Sequence, residues 1–207
     1  AALTPAPFPA RDLGLQSGPG YVLIQGPMDL TKASIVVVGG GLAGASAAYH
    51  LARRGARRLV VLEKEPACGF HASGRNAAMI RQVVAEESVG ALATEGAGFF
   101  KQPPPDWSVP FVFEQNGSVL LGSGAAWANL RRWAEAARAR GAPAEPRDPD
   151  GLRRWIPFLE GADFEGGVFC PTDGVVDLVA LLAGYLEGVR RAGGTVVTAA
   201  PVTAVET

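Results

Sequence analysis

An apolar run that ends in consecutive glycines constrains the fold of this chain more than any other feature. Residues 34–38 are apolar and β-branched without alternation, as in a parallel strand that is covered on both faces. Three glycines at 39–41 follow, then residues 42–54, which are rich in Ala and Leu and stop at Gly55, and then a second apolar run at 58–62. This order predicts a β–α–β unit within a parallel sheet.

The spacing of the glycines predicts a dinucleotide site. Gly39, Gly41 and Gly44 form the pattern Gly-x-Gly-x-x-Gly between strand and helix, and Glu63 follows Gly44 by 19 residues. In this pattern the first glycine permits a tight turn, the second lets a pyrophosphate approach the backbone, and the third lets helix and strand pack closely. A carboxylate at position 63 would bind a ribose diol and repel a 2′-phosphate, which favours FAD or NAD over NADP. The alternative is a glycine-rich turn that binds nothing.

Charge and cysteine content exclude several other classes of protein. The 207 residues include 19 Lys and Arg against 20 Asp and Glu, so the chain has no basic field for nucleic acid. Cys68 and Cys170 lack the spacing of a disulfide framework or a metal site, which favours the cytoplasm. Residues 33–52 carry no charge, but their glycines fit a strand, a turn and a helix better than a membrane span.

The remaining chain shows weaker patterns. Its first 33 residues are proline-rich and predict a tail, and Met28 suggests that residues 1–27 are an extension. Residues 109–122 predict a hairpin with a type I′ turn at Asn116–Gly117. The other predicted elements are a binding loop at 64–87, helices at 87–100, 125–140 and after Asp177, a connection at 142–151, a mixed region at 152–174 and a strand at 195–198.

The sequence of the loop after Glu63 favours FAD over NAD as the cofactor. Residues 69–81, Gly-Phe-His-Ala-Ser-Gly-Arg-Asn-Ala-Ala-Met-Ile-Arg, resemble the D-amino-acid oxidase superfamily of flavoenzymes, and most closely its D-amino-acid dehydrogenase branch. Phe99-Phe100, Trp155-Ile156-Pro157, residues 170–174 and Gly184-Tyr185-Leu186 resemble segments that recur in the same order there. The resemblance covers about residues 35–206. It implies an α/β fold: a Rossmann-like FAD-binding domain with a parallel sheet, and part of an α+β substrate domain.

The resemblance also implies roles for residues of this loop. Ser73 to Asn76 are expected to lie against FAD, since Gly74 can adopt a positive φ and Arg75 supplies a forked donor. Together with the glycine turn, the predicted cofactor-binding residues are Gly39, Gly41, Leu42, Ala43, Gly44, Glu63, Lys64, Ser73, Gly74, Arg75 and Asn76.

His71 is the predicted catalytic residue, and three interpretations of it stay open. In the dehydrogenase branch a histidine lies here at the substrate end of the flavin, whereas some amine-demethylating relatives attach FAD to it covalently. The third interpretation is a hydrogen-bonded structural histidine, because imidazole is tuned by its surroundings in all three cases. His50, within the first helix, is expected to be structural, and no residue is predicted to bind a metal.

The resemblance implies an FAD-dependent oxidoreductase that oxidises the CH–NH bond of an amino acid or secondary amine by hydride transfer to flavin N5. Oxygen or a quinone would accept the electrons. Two alternatives stay open: an NAD-dependent dehydrogenase, and an inactive flavin-binding fragment or accessory subunit that needs a partner chain. The predicted domains are an incomplete FAD-binding domain, 34–90 with 175–207, and part of a substrate domain, 91–174. The family's later segments would come from a missing C-terminal half or a partner chain.

Overall fold

The strand, turn, helix and strand predicted near the start of the chain are all present. The computed structural model describes residues 32–205, so the predicted tail up to residue 31, with Met28, lies outside the described residues. In chain order the helices and strands are β1 (Ile35–Val38), α1 (Leu42–Arg53), β2 (Leu59–Leu62), β3 (Met79–Ile80), α2 (Glu87–Lys101), β4 (Phe113–Glu114), β5 (Ser118–Gly122), α3 (Gly124–Ala139), β6 (Glu145–Arg147), α4 (Pro149–Trp155), β7 (Gly166–Cys170), β8 (Gly174–Val176), α5 (Leu178–Arg191) and β9 (Thr195–Val197).

The first compact unit, residues 32–76, 107–110 and 178–205, is built on a parallel sheet. Its middle strand, β2, pairs in parallel with β1 on one side and with β9 on the other. All four residues of β2 are buried, which explains its unbroken apolar sequence. Because parallel strands end at a shared edge, Gly39 and Glu63, which follow β1 and β2, lie at the same edge of the sheet.

Helices α1 and α5 pack through aromatic rings that lie directly against two glycines of α5. A β-carbon on Gly184 would collide with the indole of Trp107, and one on Gly188 would lie 2.5 Å from the ring of Tyr49. Tyr49 and Trp107 meet edge to face with centroids 5.4 Å apart, and Trp107 meets Tyr185 at 5.2 Å. Burial in this cluster raises the pKa of Tyr185 to about 12. The face of α5 that carries Gly184 and Gly188 is therefore as important to the packing as the predicted apolar stripe of this helix.

The second compact unit, residues 77–106 and 111–177, holds two antiparallel sheets with the orders β3-β8-β4 and β5-β7-β6. The predicted hairpin at 109–122 is wrong, because β4 pairs with β8 whereas β5 pairs with β7. Gly117 has a φ of +77° but Asn116 is not among the described residues with positive φ, as a type I′ turn would require. The N–H of Gly117 donates to the carbonyl of Asp173 at 3.0 Å, so the turn is held by a distant segment.

A buried carboxylate ties the two sheets of the second unit together. Asp173 is fully buried and lies between β7 and β8. Its Oδ1 accepts the backbone N–H of Gln82 at 3.1 Å and the side-chain Nε2 of Gln82 at 3.0 Å, while Oδ2 accepts the hydroxyl of Ser118 at 2.6 Å. Gln82 follows β3 and Ser118 begins β5, so these hydrogen bonds satisfy the buried charge and fix three segments at once.

Most other predicted elements are confirmed, with ends that shift by one or two residues. The helices predicted at 87–100, 125–140 and after Asp177 correspond to α2, α3 and α5, and the strand at 195–198 corresponds to β9. The connection predicted at 142–151 is wrong in part, because β6 and the start of α4 lie there. Asp148 accepts the N–H of Gly151 at 2.7 Å and so caps α4, which also lowers the pKa of that carboxyl.

Residues 33–52 form β1, the glycine turn and most of α1, as the sequence indicates. Every helix within the described part of the chain is too short or too polar to cross a membrane. The predicted domain boundaries after residues 90 and 174 stay a prediction.

Candidate cofactor site

The glycine turn after β1 has the geometry that its sequence predicts. Gly39 has a φ of +106°, in the region that favours glycine, and its N–H donates to the carbonyl of Leu62 at 2.7 Å. A β-carbon on Gly44 would collide with the carbonyl oxygen of Gly39, so only glycine allows α1 to lie this close to the end of β1. The turn therefore delivers the N-terminus of α1 to the carboxyl edge of the sheet.

Glu63 is buried at that edge and is bonded directly to the turn. The carboxylate is only 7% exposed. Its Oε2 accepts the N–H of Gly40 at 2.7 Å, and its Oε1 accepts the N–H of Glu65 at 2.9 Å. A carboxylate has about four lone-pair positions, so two backbone donors leave acceptor capacity for hydroxyl groups of a ligand.

The N-terminus of α1 is covered by a side chain from the following loop. Gly41 occupies the N-cap position in an extended conformation and offers no capping side chain. Ser73 fills that role from 31 residues away, because its Oγ accepts the N–H of Leu42 at 2.9 Å. A β-carbon on Gly41 would lie 2.8 Å from the same Oγ, so the missing side chain is what lets the serine reach the helix. The amides of Ala43 and Gly44 are the remaining first-turn donors that a helix cannot satisfy internally.

The loop that carries Ser73 is ordered by its own polar groups. Asn76 donates from Nδ2 to the carbonyls of Ala72 at 2.9 Å and Ser73 at 3.2 Å, which closes the loop on itself. Arg75 is exposed, and its guanidinium lies 5.2 Å from the centroid of the Phe70 ring.

Gly74 does not use the positive φ that a glycine can adopt. The loop instead turns through positive φ at Gly69, at +77°, whereas Gly74 is not among the described glycines in that region. Gly74 is needed for a different reason, since a β-carbon there would lie 2.6 Å from the carbonyl oxygen of Gly69. Gly69 therefore makes the turn, and Gly74 allows the chain to pass close to the carbonyl of Gly69.

His71 lies at the start of this loop and is bonded to an acid that the sequence analysis did not single out. Its Nε2 is 2.7 Å from Oε1 of Glu65, and the two side chains are 54% and 25% exposed. The Nζ of Lys64 is 3.7 Å from the same oxygen and is largely exposed. The structure thus links His71 through Glu65 to Glu63, and Lys64 contacts the same oxygen of Glu65. His50 contacts the rings of Tyr49 and Tyr185 in the helix packing.

Cys68 packs beneath the turn. A β-carbon on Gly40 would lie 2.5 Å from the Sγ of Cys68 and 3.1 Å from Cβ of Glu63. Burial raises the pKa of the Cys68 thiol, and the neighbouring charge of Glu63 adds to the effect while Arg190 opposes it. The middle glycine of the run, which the Gly-x-Gly-x-x-Gly pattern leaves without a role, is therefore required by the close approach of these two side chains.

Sequence reasoning missed Gly40 and Glu65. The sequence does indicate a role for Gly40, because a third consecutive glycine is more than a tight turn needs. It gives almost no indication of a role for Glu65. An acid two residues after Glu63 has no place in the glycine pattern, and its link to His71 depends on how the loop folds back.

A parallel strand, a glycine turn at a helix N-terminus and an acid at the end of the next strand are the arrangement of dinucleotide-binding α/β proteins. This chain belongs to the DAO family of FAD-dependent oxidoreductases, whose family model matches residues 34–207. The resemblance given by residues 69–81 is thereby confirmed. FAD is the cofactor of this family, so the expectation of FAD over NAD is confirmed as well.

Several known proteins of related sequence or structure are named for amines or amino acids. Human dimethylglycine dehydrogenase, named as mitochondrial, is 25% identical over 179 residues, which are 84% of this chain and 20% of that protein. Human sarcosine dehydrogenase, also named as mitochondrial, is 25% identical over 199 residues, 92% of this chain and 21% of that protein. The crystal structure of L-proline dehydrogenase from P. horikoshii matches with a TM-score of 0.71 at 24% identity, over 81% of this chain and 44% of that one. The chain spans about a fifth of the length of these curated relatives.

The residues at this edge of the sheet fit FAD. First-turn amides and a hydroxyl suit the pyrophosphate, and a buried carboxylate with remaining acceptor positions suits the ribose. The absence of side chains at Gly39 and Gly41 keeps the backbone open to a close approach.

Proposed function

We propose that this chain supplies the FAD-binding machinery of an enzyme that oxidises the CH–NH bond of an amino acid or a secondary amine. The observation that carries the proposal is the hydrogen-bonded unit of Gly40, Glu63, Glu65 and His71, which joins a dinucleotide turn to a polar loop. The relatives support the substrate class, since two are named for N-methylated glycines and one for proline.

The chemistry itself would come from the cofactor. When bound, FAD would supply the oxidation: the carbon next to the substrate nitrogen would give a hydride to flavin N5 and the nitrogen would lose a proton, and water would then hydrolyse the imine product to a carbonyl compound and ammonia or an amine. The protein would contribute binding, orientation and electrostatics.

Each part of the unit has a proposed task. Glu63 holds the ribose hydroxyls through the acceptor positions that Gly40 and Glu65 leave open, and its charge excludes a 2′-phosphate. Ala43 and Gly44 donate their amides to the pyrophosphate at the positive end of the α1 dipole. Ser73 keeps the loop against the helix through its hydrogen bond to Leu42. Gly74, Arg75 and Asn76 complete the proposed flavin-facing loop, with Arg75 as a forked donor.

For His71 we propose the substrate-side role. A half-exposed imidazole held by a carboxylate can accept or donate a hydrogen bond to an amine. Covalent attachment of FAD is the competing role, and acid precipitation of the flavin-loaded protein separates the two. Flavin released into the supernatant agrees with the substrate-side role, whereas flavin that stays with the pellet and is released by His71→Asn assigns the attachment.

The proposal also includes the electron acceptor of the flavin and the cellular location of the protein. Oxygen or a quinone would reoxidise the flavin, and the remaining pocket residues would come from further polypeptide or a partner chain. The cytoplasmic location expected from the cysteine content stays a prediction, and the human relatives are named as mitochondrial.

Anaerobic reduction of bound flavin tests this function without knowledge of the acceptor. The natural full-length protein would be mixed with glycine, N-methylglycines, proline and D-amino acids, and loss of the oxidised flavin absorbance followed. We expect one amino-acid or secondary-amine class to reduce the flavin. A protein that holds oxidised flavin and is reduced by none of them, or only by NADH, would contradict the proposal.

A further inference from the structure

The contact between Glu65 and His71 determines which nitrogen of the imidazole carries the proton, in addition to the position of the ring. His71 Nε2 and Glu65 Oε1 are 2.7 Å apart, within the range of a charge-assisted hydrogen bond. An ionised carboxylate has acceptors only, so the proton of this bond belongs to Nε2. In the neutral imidazole the other nitrogen, Nδ1, then carries the lone pair.

Glu65 has a fixed position because both its backbone N–H and its carbonyl are hydrogen-bonded. Its N–H donates to Glu63 Oε1 at 2.9 Å, and its carbonyl accepts the N–H of Ala199 at 2.8 Å. The first bond ties Glu65 to the buried acid at the end of β2, and the second ties it to the segment after β9. The carboxylate is therefore placed by the parallel sheet rather than by the loop that carries His71.

The imidazole is held on its own side as well. The carbonyl of His71 accepts the N–H of Gly74 at 3.0 Å, and its ring meets the Phe70 ring edge to face at 5.2 Å. Lys64, at 3.7 Å from the same carboxylate oxygen, is 62% exposed and is the other charged group recorded against it in the described residues. An exposed ion pair adds little to folding stability, so orientation is the larger consequence of this contact.

We propose that Glu65 is the positioning residue of the site: it holds Nε2–H of His71 and so presents Nδ1 as the acceptor for an N–H group of an amine or amino-acid substrate. This role rests on the proposed function, in which His71 lies on the substrate side. The pairing and the tautomer follow from the geometry alone and can be measured separately.

Nitrogen-15 NMR of the labelled chain tests the pairing without cofactor or substrate. At about pH 8 we expect the nitrogen shifts of His71 to show a protonated Nε2 and an unprotonated Nδ1. Glu65→Leu removes the acceptor, so the two nitrogen shifts should move toward the average of both tautomers. Glu65→Gln keeps an acceptor oxygen and should preserve the difference between the two shifts in part. The chain has two histidines, so His50 is the internal control within each spectrum.

Kinetics of the natural full-length, flavin-loaded enzyme tests the positioning role. Glu65→Leu should lower kcat/KM for the amine by about 10–100-fold with unchanged flavin content, the loss expected when one hydrogen bond to a charged group is removed. Glu65→Gln should recover part of the rate. Glu95→Leu, on the exposed surface of α2, is the matched control and should leave the rate unchanged.

The outcomes separate the two proposals. If the His71 spectrum is the same in the original chain and in Glu65→Leu, or if Glu65→Leu keeps kcat/KM within twofold, the positioning role is overturned. If the NMR signature is present but no amine reduces the flavin, the proposed function fails while the pairing of Glu65 with His71 stands.

Discussion

The backbone N–H of Gly40 donates to Oε2 of Glu63 at 2.7 Å, across 23 residues of sequence. This hydrogen bond joins the turn after the first parallel strand to the acid after the second. Since Glu63 also accepts the N–H of Glu65, the acid organises the protein's own loops in addition to the proposed contact with ribose. Substitution at Glu63 should therefore affect folding and cofactor binding together.

Glu63→Gln tests this double role. The substitution keeps the shape of the side chain but replaces one acceptor oxygen by an amide that faces a backbone donor. Hydrogen bonds to charged groups contribute about 1.5–3 kcal/mol, so we expect FAD affinity to fall by at least about tenfold and the urea midpoint to fall as well. Glu95→Gln, at an exposed position of α2, is the control for loss of charge alone. Equal affinity and stability in both variants would refute the double role.

Gly188→Ala tests the packing of α5 on Tyr49. The added β-carbon would lie 2.5 Å from the Tyr49 ring, so we expect a loss of about 1–3 kcal/mol in the free energy of unfolding. Gly96→Ala in α2 meets no atom within 4 Å and should instead gain about 0.5–1 kcal/mol from helix propensity. Urea unfolding of both variants checks the prediction, and it fails if the two substitutions shift stability in the same direction.

Asp173→Ala tests the buried carboxylate of the second unit. Removal of the acceptor leaves the backbone N–H of Gln82 and the hydroxyl of Ser118 without it, whereas Nε2 of Gln82 keeps its hydrogen bond to Thr172, and each unsatisfied buried group costs about 1–3 kcal/mol. We expect a total loss of about 3 kcal/mol or more in urea unfolding. Asp163→Ala, at an exposed position, should change stability by less than about 0.5 kcal/mol. Comparable losses in the two variants would mean that the network contributes nothing specific.

Cys170 should couple stability to alkaline pH. Burial raises the pKa of this thiol from 9.0 to about 11, so the unfolded chain loses its proton at lower pH than the folded chain. The stabilisation is then complete below pH 9 and is lost as the pH rises toward 11. Between about pH 8 and pH 10 we expect Cys170 to account for a loss of about 1 kcal/mol, measured as a steeper pH dependence of urea unfolding than in Cys170→Ala. Parallel pH profiles would contradict this assignment.

The first unit could be predicted from the sequence because its signals are local. Residues 59–62 are apolar throughout, as the buried middle strand requires, although the run at 35–38 forms a strand at the edge of the described sheet and is less buried than its sequence indicates. The glycines between the two strands each have a reason in a positive φ or in a close approach of other atoms. The same physics explains why the ends of α1 and β2 were predicted within one residue.

The second unit was less predictable because its strands find partners far away in sequence. The residues around Asn116–Gly117 have the composition of a hairpin turn, but the residues of β4 and β5 each pair with residues 44 or more positions further along the chain. The decisive contact is the bond from Gly117 to Asp173, which no local pattern reveals. In the site, the link from Glu65 to His71 was hidden for the same reason, since it depends on how the loop after β2 returns to the sheet.

The most direct test of the account is a titration of the folded chain with FAD, followed by quenching of flavin fluorescence, for the original sequence and for Gly41→Val. A β-carbon at Gly41 would lie 2.8 Å from Ser73 Oγ and would push that hydroxyl away from the N-terminus of α1, where the pyrophosphate is proposed to bind. The account predicts that the original chain binds FAD and that Gly41→Val binds at least about tenfold more weakly, with circular dichroism of both chains unchanged. Absence of binding by the folded original chain, or equal binding by both chains, would contradict it.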